Sequence, residues 1–137
     1  MSALPPDIAA QVARSLAEDI GSGDVTAALV PADAKARATL LSRETAIICG
    51  IPWVDETFRQ LDPAIQIRWK VQEGERVAAD TILCEITGPA RPLLTGERTA
   101  LNFLQTLSGT ATATRRYVDA VAGTGCGILD TRKTLVD

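Results

Sequence analysis

Residues 64–71 read AIQIRWKV, and they alternate without a fault: Ile65, Ile67, Trp69 and Val71 face one way, Gln66, Arg68 and Lys70 the other. Successive side chains of a β-strand point to opposite faces, so a period of two marks a half-buried strand. Such a strand needs neighbours. Residues 36–49, ARATLLSRETAIIC, read as one long or two short strands carrying Leu40, Leu41, Ile47 and Ile48. Residues 81–87, TILCEIT, read as another, closed by Gly88-Pro89, with a turn at Gly74 between them.

Helical periods flank this β-rich block. Pro5, Pro6 and Asp7 open a first helix, whose Ile8, Val12 and Leu16 recur four residues apart until Gly21-Ser22-Gly23-Asp24 ends it. Pro52 starts a short helix with Val54, Phe58 and Leu61 on one side, closed by Asp62-Pro63. From Thr95 the period becomes helical again: Thr95 caps, Glu97 lies in the first turn, and Ala100, Leu101, Leu104 and Leu107 form the apolar stripe. Ser108-Gly109 is expected to break that helix. A second is expected from Thr110 to Val121, with Tyr117, Val118 and Val121 toward the core. A glycine-rich turn, Gly123 to Gly127, then leads into a short strand, Ile128-Leu129-Asp130. The fold class is α+β. No strand follows to pair with the last one, so the chain reads as a truncated protein: residues 1–108 as one domain, 109–137 as the start of a second.

Composition removes several classes of function. The 137 residues are 46% hydrophobic, enough to bury a core. A net charge of -3 argues against a nucleic-acid partner while leaving room for a local anion site. There is no histidine, so acid-base work falls to carboxylates, lysines or cysteines. Cys49, Cys84 and Cys126 are far apart in apolar company and form no C-x-x-C, which reads as three buried free thiols. The N-terminus lacks a basic region and a long apolar run, and no apolar stretch is long enough to span a membrane. A soluble protein of the reducing cytoplasm is expected.

Four motifs could carry chemistry. In GERTALNFLQTLSG, residues 96–109, Arg98, Asn102 and Gln105 share a helical face; near a helix start, Arg98 would join outward-aimed N–H groups in a carboxylate or phosphate site. The same spacing fits a solvated polar face. In LDTRKT, residues 129–134, Arg132 offers a planar fork and Lys133 a compact charge between two threonine hydroxyls, though a surface basic pair reads the same way. GTGCG, residues 123–127, precedes a strand and lacks the dinucleotide spacing, so it reads as a tight turn. EDIGSGDVT, residues 18–26, lacks calcium-loop spacing and reads as a turn capped by Asp24. The β block resembles a lipoyl or biotinyl half-barrel, but no lysine lies between Lys70 and Lys133, so a carrier role is disfavoured and a structural use favoured.

Taken together, EDIGSGDVT, EGERV, GERTALNFLQTLSGTAT and ILDTRKT resemble the N-terminal half of quinolinate phosphoribosyltransferase, the decarboxylating enzyme of NAD biosynthesis. The resemblance implies an N-terminal α/β sandwich followed by the first strand of an open α/β barrel. It also implies a homodimer with shared active sites, and transfer from phosphoribosyl pyrophosphate to quinolinate with Mg²⁺. By motif, Arg98 resembles the arginine lent to a neighbour's quinolinate site and Arg132 a carboxylate clamp. Lys133 resembles the catalytic cation near the reacting groups, with Thr131 beside it. The family's further basic residues, its histidine and its metal-binding carboxylates have no counterpart here, so the chain is expected to be inactive alone. A molybdenum-transport-associated paralogue of the same fold and a purely structural dimerisation module remain alternatives.

Overall fold

The computed structural model describes residues 4–21 and 23–129. In chain order these form α1 (Ile8–Ile20), α2 (Val25–Ala28), β1 (Lys35–Ser42), β2 (Ala46–Ile47), α3 (Ile51–Leu61), β3 (Gln66–Trp69), β4 (Arg76–Val77), β5 (Thr81–Pro89) and α4 (Ala90–Val121). The fold is α+β: small antiparallel sheets packed on helices.

β1, β5 and β3 make one antiparallel sheet in that order. Arg37 stands opposite Thr87 and Thr87 opposite Gln66; Thr39 stands opposite Glu85 and Glu85 opposite Arg68. The alternate residues Ala36, Ala38, Leu40, Ile67 and Trp69 pack instead on a core that includes Cys84 and Ile86. The alternation of residues 64–71 therefore does set the buried face, although the strand itself is shorter. A register shift between Leu40 and Leu41 leaves Leu41 47% exposed. β2 and β4 pair separately, Ala46 with Val77 and Ile47 with Arg76, so the β block is two small sheets.

The sheet is covered by α3 and α4, which contribute Val54, Phe58, Leu93, Ala100 and Leu104 to its core. On the other side of these helices, the i, i+4 stripe of α1 sets Val12 and Leu16 against Trp53, Phe103 and Leu107. Thus α3 and α4 form a middle layer. Their buried polar groups are paired: Trp53 Nε1 donates to Gln11 Oε1 at 2.9 Å, and the Thr57 hydroxyl to the Trp53 carbonyl at 2.7 Å.

Four expectations are corrected here. α4 is one helix of 32 residues, beginning at Ala90 directly after β5, not at Thr95, and it does not break at Ser108-Gly109. A helix-interior glycine costs about 1 kcal/mol, but tertiary bonds flank Gly109. The Ser108 hydroxyl accepts from the Cys49 N–H at 3.0 Å and donates to the Cys49 carbonyl at 2.9 Å, while Thr112 Oγ1 accepts from the Ile47 N–H at 2.9 Å. Pro92 is tolerated because it falls in the first turn, where its missing N–H has no intrahelical partner to lose. Secondly, Tyr117 and Val118 face solvent, 66% and 42% exposed, since no described element covers the last turns of α4. Thirdly, Cys126 is exposed; only Cys84 is fully buried, and Cys49 is intermediate. Fourthly, Ile128 and Leu129 form no strand and are 44% and 87% exposed, with no neighbouring strand among the described residues to accept their backbone bonds. Asp130 lies outside the described residues.

Two glycines of α4 make opposite demands. A Cβ on Gly96 would sit 2.6 Å from Leu61 Cδ1 and 2.9 Å from Phe58 Cε1, whereas one on Gly109 would meet nothing within 4 Å. Gly96→Val is therefore expected to lower the unfolding free energy by about 1–3 kcal/mol through overpacking. Gly109→Ala is expected to raise it by about 0.5–1 kcal/mol. Urea unfolding of the two variants beside the parent reads both. A Gly109→Ala chain less stable than the parent would contradict an open, continuous helix at that point.

Candidate functional site

Arg98 is exposed and stands more than two turns inside α4. Its surroundings therefore differ from those expected at a helix start. The backbone N–H groups near it are engaged within the helix, so no dipole-end donors accompany it, and neither Thr95 nor Glu97 occupies the first turn. What the structure does confirm is the shared face. Arg98, Asn102 and Gln105 line one cleft of about 580 Å³.

The opposite wall of that cleft comes from EDIGSGDVT. Asp19, at the end of α1, and Gly23, Asp24 and Thr26, at the start of α2, line it together with Thr95 and Arg98. By sequence this motif reads as a separate capped turn. The turn is real: Asp24 Oδ1 accepts from the Ala27 N–H at 3.0 Å, as an N-cap should. Its position against Arg98 was missed, because residues so distant in sequence carry no shared periodicity. Thr131, Arg132 and Lys133, the other expected site residues, lie outside the described residues.

Charge in the cleft is unbalanced. Among the described residues, Asp19, Asp24 and Glu97 line it against the single cation Arg98. Asp19 accepts a short hydrogen bond from the buried Thr99 hydroxyl. The Asp24 carboxyl is held below its ordinary value, first by the Ala27 N–H, then by the Thr95 hydroxyl, with the Thr26 N–H and the Arg98 charge adding to them against a smaller opposing effect of burial. Arg98 has no ion pair among the described residues, where the pairs are Arg59 with Glu56 and Arg76 with Asp119. A guanidinium in this state is free to take a ligand carboxylate, but one cation beside three carboxylates is not by itself a site for a dianion.

Other chemistries find less support. Burial, aided by the Asp55 charge, pushes the Cys84 thiol up to about 12, and burial with the Glu73 charge raises Cys49, so neither is poised as a thiolate. Among the described residues no three Asp, Glu or Cys side chains cluster as ligands for a metal ion. No helix of the described residues is long and apolar enough to cross a membrane.

The depressed Asp24 carboxyl has a stability consequence with a definite sign. Folding favours its ionised form, so its contribution is fully present above the ordinary value of 3.8 and is lost as pH falls through the lower folded-state value. Asp24→Asn keeps a cap acceptor and removes the charge. The parent should exceed this variant in urea midpoint at near-neutral pH, and the gap should close well below pH 3.8. A gap that persists unchanged in acid would refute the assignment.

The family model described as "Quinolinate phosphoribosyl transferase, N-terminal domain" matches residues 24–108. The probable nicotinate-nucleotide pyrophosphorylase (carboxylating) of Synechocystis is 39% identical over 136 residues, spanning 98% of this chain and 46% of that protein. The chloroplastic nicotinate-nucleotide pyrophosphorylase of Oryza sativa is 39% identical over 130 residues, 93% of this chain and 34% of its own length. Among solved structures, the nicotinate-nucleotide pyrophosphorylase from Francisella tularensis superimposes with a TM-score of 0.83 at 43% identity, over 88% of this chain and 44% of that one. NadC from Streptococcus pyogenes does so at 0.92 and 32% identity, over 98% and 49%. The chain thus spans about half the length, or less, of these relatives. With the model matched across the β block, the cleft and most of α4, the chain belongs to the quinolinate phosphoribosyl transferase family and carries its N-terminal domain.

Proposed function

We propose that this domain serves an enzyme that transfers the phosphoribosyl group from phosphoribosyl pyrophosphate to quinolinate in NAD biosynthesis, in the cytoplasm. In that reaction the pyridine nitrogen bonds to the ribosyl carbon as pyrophosphate leaves. The carboxylate next to the nitrogen departs as carbon dioxide, a proton from solvent takes its place on the ring carbon, and nicotinate mononucleotide remains. The observation that carries this reading is Arg98: an exposed guanidinium, unpaired among the described residues, on a long helix seated in the core. A planar fork on a rigid element suits one carboxylate of a dicarboxylic acid.

The three carboxylates around Arg98 explain why the cleft would not work alone. A dianion needs more positive charge than it supplies. We assign that charge to Arg132 as a second carboxylate clamp and to Lys133, with Thr131, near the reacting groups. Further cations would come from the part of the family's length that this chain does not span. Mg²⁺ would enter with the pyrophosphate donor and find its ligands there as well. In this reading residues 109–137 begin the barrel, and Arg98 completes a site in a homodimeric neighbour. The isolated chain would bind substrate weakly and turn nothing over.

Calorimetric titration of quinolinate into the chain at low salt, beside Arg98→Ala, tests the assignment. A charge-assisted arginine–carboxylate contact predicts binding weakened about tenfold or more in the variant. Equal affinity in the two proteins, both folded, would remove Arg98 from the site.

A further inference from the structure

The far end of α4 carries charge of the other sign. Where it passes β2 and β4, a cleft of about 200 Å³ is lined by Arg76, Arg115 and Arg116 against one carboxylate, Asp119, among the described residues. That carboxylate is engaged across elements: Arg76 Nη2 donates to Asp119 Oδ2 at 2.7 Å, which ties β4 to α4. Arg115 and Arg116 stand four and three residues before Asp119, the spacings at which helix side chains meet, yet the ion pairs among the described residues are Arg76 with Asp119 and Arg59 with Glu56. Two exposed guanidiniums are thus left without a counter-charge in a concave place, in a chain whose net charge is -3. Neither lies in the last turn of α4, so the helix dipole does not account for them. The backbone beneath them is held. One turn earlier, Thr112 Oγ1 accepts from the Ile47 N–H at 2.9 Å, fixing α4 against β2.

We propose that this cleft is an anion site for a small phosphate-class ligand, inorganic phosphate or pyrophosphate, bound by Arg115 and Arg116 beside the Asp119-held Arg76. One carboxylate is filled by a single arginine fork, whose geometry its two oxygens match. A phosphate group directs its oxygens more widely and takes more than one fork at once. The Thr45 hydroxyl lines the same cleft and can add a donor. The volume falls below the about 300 Å³ at which sites for drug-sized molecules begin, which favours a small anion. No residue lines both this cleft and that of Arg98, so the inference stands apart from the proposed function.

The test is titration of sodium pyrophosphate into the ¹⁵N-labelled chain at low ionic strength, followed by backbone amide shifts. Shifts should centre on residues 45–47, 76 and 112–119. Arg115→Gln and Arg116→Gln should each bind about 3- to 10-fold more weakly, since exposed charge-assisted contacts are worth less than buried ones. Arg37→Gln removes the same charge from an exposed position on β1 and should bind like the parent. Acetate, with one carboxylate, should shift these amides only at much higher concentration. Four outcomes overturn the proposal: no shifts, shifts centred on residues 94–105 instead, an equal loss in Arg37→Gln, or acetate binding as tightly as pyrophosphate.

Discussion

The close seating of α4 on α3 is the constraint on which the rest of the domain depends. At Gly96 there is no room for a Cβ beside Leu61 and Phe58. At Gly50, the cap of α3, φ is +120° and a Cβ would lie 3.3 Å from the Leu104 Cα atom. Glycine satisfies the backbone angle at Gly50 and the distance at both positions. With the helices this close, Phe58, Leu93, Ala100 and Leu104 reach the sheet on one side. On the other side Trp53, Phe103 and Leu107 receive α1. The same seating fixes the line along which Thr95, Arg98, Asn102 and Gln105 face the cleft.

A second device holds the segment that leads from β2 into α3. Residues 46–50 form only a two-residue strand before α3 begins, too little for a self-sufficient ladder. Side chains supply the missing bonds. Thr112 takes the Ile47 N–H, and Ser108 serves both the N–H and the carbonyl of Cys49. The Glu73 carboxylate takes the N–H groups of Gly50 and Ile51, capping α3 from a distant loop. No buried side-chain nitrogen or oxygen among the described residues is left without a partner. Ser108, half of the pair that reads as a break, thus joins Thr112 in tying α4 to β2 and the residues after it.

The periodic parts of this architecture were legible in the sequence. The alternation at 64–71 set the buried face of β3, and the stripe of Val12 and Leu16 set the buried face of α1. The common face of Arg98, Asn102 and Gln105 followed from helical spacing alone. What failed had no local signal. Ser108-Gly109 carries a local preference against helix, which long-range bonds to Ile47 and Cys49 override. Thr95 looked like a cap because threonine caps well, but β5 runs straight into α4 five residues earlier. Tyr117 and Val118 looked like core because they are apolar, yet burial depends on what lies opposite, and among the described residues nothing does. The meeting of Asp24 with Arg98 joins segments that no period connects.

That meeting also shapes how the cleft is to be understood. An arginine surrounded by cations would bind any anion and would be hard to keep from adventitious ones. Here it is set among carboxylates, so the cleft by itself disfavours a dianion. In the proposed function, selectivity would come from needing a second set of cations, supplied elsewhere, before the balance favours binding. A ligand with two carboxylates at a fixed angle can satisfy both sets at once, whereas a simple anion satisfies one. In the proposed function the carboxylates beside Arg98 would be part of recognition: they would keep an exposed cation from being a general anion trap and make a complete site conditional on the further cations.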